Sequence, residues 1–283
     1  MARLLRWTAH GLASIVGLMM IAAAAIWLIS SHKLTLKAEA RPERLAQPTP
    51  AQLADGERQA RVLGCYSCHG EGLRGNKMFD EPNVATIWAS NLTHVSARAT
   101  DEQLARAIRQ GIGVDGRTLF IMPSEAYQHL TGQEVAALIA RIRSLPRTGS
   151  ETPSNNYGLI GRLGVVLGKF KTAPALVAEY STREPRRIVG YEAGHPLAVK
   201  YCSSCHNADL SGKEVKPGEV APDLIVVGAY DPDDFKKLMR TGQPNGGRKL
   251  KLMETIARAD LSHMTDEEID KLYQYLHARA SLP

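Results

Sequence analysis

The sequence predicts a mainly α-helical chain in which one N-terminal transmembrane helix precedes two small domains built on a shared plan. Three observations carry that expectation. Residues Leu12 to Ile29 form an apolar run; the pentapeptide C-x-x-C-H occurs twice, as Cys65-Tyr66-Ser67-Cys68-His69 and Cys202-Ser203-Ser204-Cys205-His206; and a Thr-x-x-Glu helix-start signature recurs late in each half, at Thr131/Glu134 and Thr265/Glu268.

With Gly11 and Ser30 the apolar run reaches about 20 residues, enough for a spanning helix, and Arg3 and Arg6 precede it. A retained anchor over residues 1–32 is favoured over a cleaved secretory signal. The small-x-small triplet Ala38-Glu39-Ala40 sits well past the run and behind Lys33 and Lys37, a poor place for cleavage. Residues 33–50, with Pro42, Pro48 and Pro50 among charged residues, read as a tether that lifts the next domain off the bilayer.

The first domain is assigned to residues 51–146. A helix is expected from Leu53 to Leu63, another over Asp101–Arg109 behind the Thr100/Gln103 capping box, and a third over Gly132–Ser144 with Val135, Leu138, Ile139 and Ile142 on one face. Residues 147–190 form a long connector rich in proline and glycine. Its apolar segment Leu159 to Phe170 is too short and too glycine-rich to span a membrane, and reads as a strap over the two domains rather than a second membrane contact. The second domain, residues 191–283, repeats the plan: Asp231 caps a helix beginning at Pro232, and Thr265/Glu268 box a terminal helix over Asp266–Arg279 whose buried face is Ile269, Leu272, Tyr273 and Leu276. Little in either half alternates at period two.

The pentapeptides use all four cysteines. Two C-x-x-C pairs are compatible with disulfides, a four-thiolate zinc site or thiol redox pairs, but a histidine directly after each pair is the signature of c-type heme attachment. A zinc site would leave His69 and His206 unexplained. Two thiols three positions apart on a helix can each form a thioether with one vinyl group, and the adjacent histidine then lies under the iron. The expected cofactor is heme c, two copies, covalently attached, and the expected fold is mainly α, one N-terminal transmembrane helix followed by two class I cytochrome c domains.

Each iron then needs a sixth ligand. In the first domain the candidate is Met122, followed by Pro123 in the loop between the two late helices; Met78 lies in the early loop and is the weaker choice. In the second domain Met253 occupies the corresponding loop, with 11 residues between it and Thr265 against 8 between Met122 and Thr131. Met264 aligns with the apolar Leu130 and reads as core, and His263 is a weaker candidate still. The binding set is therefore Cys65, Cys68, His69 and Met122 for one heme and Cys202, Cys205, His206 and Met253 for the other, with His69, Met122, His206 and Met253 on the irons. His94, His129, His195, His263 and His277 read as surface or hydrogen-bonding residues.

The stretches Gly64-Cys65-Tyr66-Ser67-Cys68-His69-Gly70, Ser90-Asn91-Leu92-Thr93, Ala107-Ile108-Arg109-Gln110-Gly111 and Met122-Pro123-Ser124 resemble the bacterial membrane-associated multiheme cytochrome c family, in particular the cytochrome subunits of periplasmic alcohol and gluconate dehydrogenases. The resemblance covers about residues 50 to 146; residues 195 to 283 are generic for a class I cytochrome c. It implies electron transfer out of a dehydrogenase or another periplasmic donor toward quinone or a terminal oxidase. Those subunits usually carry three heme motifs, and this chain has two.

The resulting expectation is an electron-transfer protein, not an enzyme, with no catalytic residues. It is anchored in a bacterial inner membrane with its heme domains in the periplasm, and shuttles single electrons between redox partners such as a dehydrogenase, a quinol-oxidising complex or a terminal oxidase. A diheme enzyme such as a peroxidase or thiosulfate-oxidising cytochrome would want an open iron, and a methionine candidate in both domains argues against it. A fixed structural subunit of a respiratory complex is the remaining alternative. The net charge of +6 is spread along the chain with no nucleic-acid recognition motif, and no small-molecule substrate is expected.

Overall fold

The computed structural model describes residues 2–282 apart from 217 and 248; the outermost residues of the anchor and of the second domain, 1 and 283, lie outside the described residues. Helix α1 (Ala2–Thr35) is continuous, and over Leu5–Thr35 it is long and apolar enough to cross a membrane. Leu12, Leu18, Met20 and Ile21 stand uncovered by protein, as lipid-facing side chains would.

The expected tether is not free. Residues 36–45 are bound along the first domain: Lys37 bridges to Arg117, the Ala38 amide donates to the Gly116 carbonyl at 3.1 Å, and Gln110 exchanges hydrogen bonds with the Arg41 backbone at 2.9 Å in both directions. Glu43 accepts from Arg109 Nε at 2.9 Å, and Leu45 packs on the first core.

The first domain starts with α2 (Pro50–Val62), capped by a Thr49/Gln52 box, and α3 (Cys65–His69). An antiparallel hairpin follows, β1 (Asn76–Glu81) and β2 (Ala85–Ala89), then α4 (Leu92–Arg98), α5 (Asp101–Gln110), the single-turn α6 (Ser124–Tyr127) and α7 (Gly132–Ser144). Both expected capping boxes, Thr100/Gln103 and Thr131/Glu134, are formed. Leu104, Ile108, Val135, Leu138, Ile139 and Ile142 make the core, and α2 crosses α7 closely at Gly56, where a Cβ would meet the Ala137 carbonyl at 3.2 Å.

The connector holds β3 (Asn156–Tyr157), which extends the hairpin by pairing with β2, and helices α8 (Leu159–Val166) and α9 (Ala173–Tyr180). It makes hydrogen bonds with residues on both sides of it. Asn91 Nδ2 donates to the carbonyls of Thr148 and Ser150, while the Pro185 and Arg186 carbonyls accept from His195 Nε2 at 3.0 Å and Tyr275 Oη at 2.8 Å.

The second domain comprises α10 (His195–His206), a hairpin of β4 (Lys213–Lys216) and β5 (Glu219–Ala221), a 3-10 stretch Leu224–Ala229, α11 (Pro232–Thr241), α12 (Lys251–Ala259), a 3-10 turn Leu261–His263 and α13 (Asp266–Ala280). Asp231 caps α11 and the Thr265/Glu268 box caps α13. On α13 the fully buried aromatic is Tyr275; Tyr273, expected on the inner face, is half-buried and donates its hydroxyl to the Tyr230 carbonyl at 2.9 Å.

The two hairpins are the β-structure within the expected mainly helical plan. Both occupy the same place, just after a C-x-x-C-H segment, and both are short and largely exposed, so neither leaves a long alternating pattern. Leu73 and Leu210, each four residues past the motif histidine, are fully buried in the left-handed region at φ +54° and +64°.

Candidate functional site

Each motif is a helix end placed by its neighbours. In the first domain the chain leaves α2 through Gly64, at φ +72°, and turns directly into α3; in the second, α10 runs unbroken from His195 through His206. Cys65, Cys68, Cys202 and Cys205 are free thiols in two separate pairs. Burial pushes the Cys65 and Cys202 thiols up to about 12 and raises Cys68 and Cys205 as well. No cluster of three or more metal-binding side chains occurs among the described residues.

The two histidines are oriented alike. His69 Nδ1 donates to the Ser90 carbonyl at 2.7 Å, and His206 Nδ1 donates to the Pro222 carbonyl at 2.8 Å. Ser90 follows β2 and Pro222 follows β5, so each hairpin delivers the acceptor that fixes its histidine, leaving Nε2 as the ring nitrogen open to a metal. Burial lowers both imidazole pKa values, which keeps the rings neutral and able to ligate.

Cys65, Cys68, His69 and Met122 line one apolar cavity of about 290 Å³, walled by Leu104, Ile108, Leu130, Leu138 and Ile142. Heme fits this lining: two thiols and an imidazole on one segment, a thioether opposite them in the chain order, and hydrocarbon between. Met122, His69 and Cys68 also border a more open cleft of about 550 Å³ that reaches Ser31 and Thr35 at the end of α1. Met78 borders only that outer cleft.

The second set is brought together less openly. Cys202 and Met253 both pack, partly buried, against the second core. Met253 was expected in a loop; it lies in the first turn of α12, entered through Lys251 at φ +31°. Met264 and Met239 are buried within the core, 2% and 4% exposed. Two of the other histidines bond to backbone carbonyls, His94 to that of Gly149 and His195 to that of Pro185.

The feature sequence reasoning missed is a reciprocal lock between the domains. Glu134 and Glu268 each cap their own helix through Thr131 and Thr265, and each also takes a cation from the other domain: Lys200 Nζ lies 2.6 Å from Glu134, and Arg58 reaches Glu268 at 2.7 Å while donating to the His263 carbonyl. Ser67 donates to Asp260, and Ser204, at the same motif position, lies against Glu125 in the first domain. Glu125 Oε2 and Ser204 Oγ are buried without a close partner. Tyr201 packs on both cores. The signal available was the alignment of the halves: Asp260 and Glu125 precede the capping threonines by nearly equal distances.

Comparison with known proteins follows this division. Residues 191–279 match the cytochrome c family, and residues 51–140 match the family described as cytochrome C oxidase, cbb3-type, subunit III. Two stretches of the chain behind the membrane-length helix are thus similar to heme-binding cytochrome families, the C-terminal one with a class I cytochrome c fold. The chain is homologous to a dehydrogenase cytochrome subunit: the fructose dehydrogenase cytochrome subunit of Gluconobacter japonicus is 24% identical over 266 residues, covering 82% of this chain and 54% of that protein. The chain spans about half the length of that curated relative.

Proposed function

We propose that the chain holds two hemes c, one per domain, and relays single electrons between redox proteins on the periplasmic side of a bacterial inner membrane in which α1 remains as an anchor. In this reading both units, residues 51–146 and 191–283, are class I cytochrome c domains joined by residues 147–190. Cys65 and Cys68 hold the first porphyrin and Cys202 and Cys205 the second; His69 with Met122 and His206 with Met253 close the irons. Bound heme supplies a one-electron ferric and ferrous couple. The protein's residues do the rest: the hairpin carbonyls fix the imidazoles, the apolar walls exclude water, and the Glu134 and Glu268 lock fixes one domain against the other. The likeness to a dehydrogenase cytochrome subunit favours a dehydrogenase as donor, with a quinone pool or a terminal oxidase as acceptor.

The observation that carries the reading is the meeting of Cys65, Cys68, His69 and Met122 on a single apolar cavity. The chain purified from membranes should keep two porphyrins through denaturing electrophoresis, one for each motif, and its reduced form should not take up carbon monoxide. Loss of porphyrin on denaturation, or carbon monoxide binding at both irons, overturns it.

A further inference from the structure

We propose that α8 and the turn after it, residues 159–170, form a foot that lies in the headgroup and acyl boundary of the membrane beside α1. The inference rests on the reading that α1 crosses the bilayer, and goes beyond it by giving the first domain a second, monotopic contact.

Three contacts set the level of this segment. The Arg162 guanidinium stacks 3.5 Å from the centre of the Trp27 ring, and its Nη1 donates to Ser30 Oγ and Ser31 Oγ at 2.9 Å each. In return, Lys33 Nζ donates to the Val165 and Val166 carbonyls at 3.4 and 3.0 Å, satisfying acceptors at the C-terminal end of α8. A hydrocarbon core of about 30 Å takes up about 20 residues of helix, so the 31-residue apolar stretch Leu5–Thr35 emerges near Trp27 to Ser31, with the tryptophan where interfacial aromatics sit.

The two faces of α8 differ. Gly161 and Val165 are buried inside, Gly161 so tightly that a Cβ would meet the Val84 carbonyl at 2.0 Å. The outer face carries Ile160, Leu163 and Leu167, spaced three and four apart, with Leu159 and Phe170 beside them, and these are 40 to 63% exposed. A compact apolar stripe of this kind seeks a cover. The packing of α8 along α1, whose own outer surface faces lipid, and the flanking Lys169 identify that cover as an anionic bilayer rather than a protein; Lys171 is taken up by Glu179 at 2.6 Å.

The test uses the full chain in vesicles of phosphatidylcholine and phosphatidylglycerol, with the photoreactive substitutions Ile160→benzoylphenylalanine and Leu167→benzoylphenylalanine, and the same change at Val189, 92% exposed on the connector, as reference. After illumination, lipid adducts at 160 and 167 should exceed those at 189 several-fold. Adducts no more frequent than at 189, or adducts to a second copy or another protein, overturn the foot. A carbonate wash reads the underlying claim separately: a chain that leaves the vesicles refutes the anchor, whereas a retained chain without lipid adducts at 160 and 167 refutes the foot alone.

Discussion

Ser67, inside the first C-x-x-C-H motif, donates its hydroxyl to Asp260 of the second domain, and Asp260 Oδ2 stands where a side chain on Gly64 would have to go, 3.1 Å from its Cβ position. One domain's carboxyl thus rests against the other domain's cysteine motif. That contact ties the interface to the cysteine motif.

Burial raises the Asp260 carboxyl from 3.8 to about 6, partly offset by the Ser67 hydroxyl. Between those values the folded chain keeps a proton that the unfolded chain has released, so stability falls as pH rises from about 4 to about 6 and stays lower above it. Asp260→Asn removes the charge while keeping an acceptor for Ser67. Urea unfolding across pH 4 to 8 should show a flatter profile for the variant and equal or higher stability at pH 7.

Arg58 joins Asp55, Glu268 and the His263 carbonyl, with its side chain 26% exposed and that of Glu268 17% exposed. Arg58→Ala should cost about 1 to 3 kcal/mol, much of it from leaving Glu268 uncompensated. A double-mutant cycle with Glu268→Ala should return a coupling of at least about 0.5 kcal/mol. The pair Arg61–Glu57 on α2, whose carboxylate is 45% exposed against 17% for Glu268, should give roughly half a kcal/mol or less in the same assay.

Gly111 ends α5 at φ +67°, and a Cβ there would lie 2.3 Å from the Ala173 Cβ at the start of α9. Gly111→Ala meets a backbone penalty of about 1 kcal/mol and displaces α9 from α5 and α6. Thermal unfolding should shift downward, and limited proteolysis should newly cut near residues 173–180.

Met122→Ala should open the first iron to carbon monoxide and remove the absorbance of a sulfur-ligated ferric heme, and Met253→Ala should do the same at the second. Met264→Leu, a change within a filled core, should leave the spectrum intact at a cost below about 1.5 kcal/mol. Met122→His should lower the first potential in a redox titration.

The helical frame was readable because its ends are chemically marked. The boxes at Thr100, Thr131 and Thr265 and the Asp231 cap appear where the residues put them, since a cap is a local hydrogen bond. The hairpins were not, because strands of three to six residues are too short to impose a clear period, and only β2 buries side chains, Ala85 and Ile87. Residues 36–45 look like a linker by composition, yet Glu43 and Leu45 find partners far along the chain, and such pairings leave no local trace. In the candidate site the motif and Met122 were visible from spacing. The carbonyls of Ser90 and Pro222 were hidden because backbone acceptors carry no residue identity. The Lys200 to Glu134 bridge was hidden because a capping glutamate already has a sufficient role.

The clasp of Arg109 and Gln110 on Glu43 and Arg41, in the segment leaving α1, leaves the first domain without a leash. A carrier on a slack chain sweeps a hemisphere above the lipid and finds partners at many heights. On the function proposed above, a carrier held this way would drift in the plane and spin about the normal, so its encounters would be two-dimensional and a partner would have to present its own redox centre at a single fixed altitude.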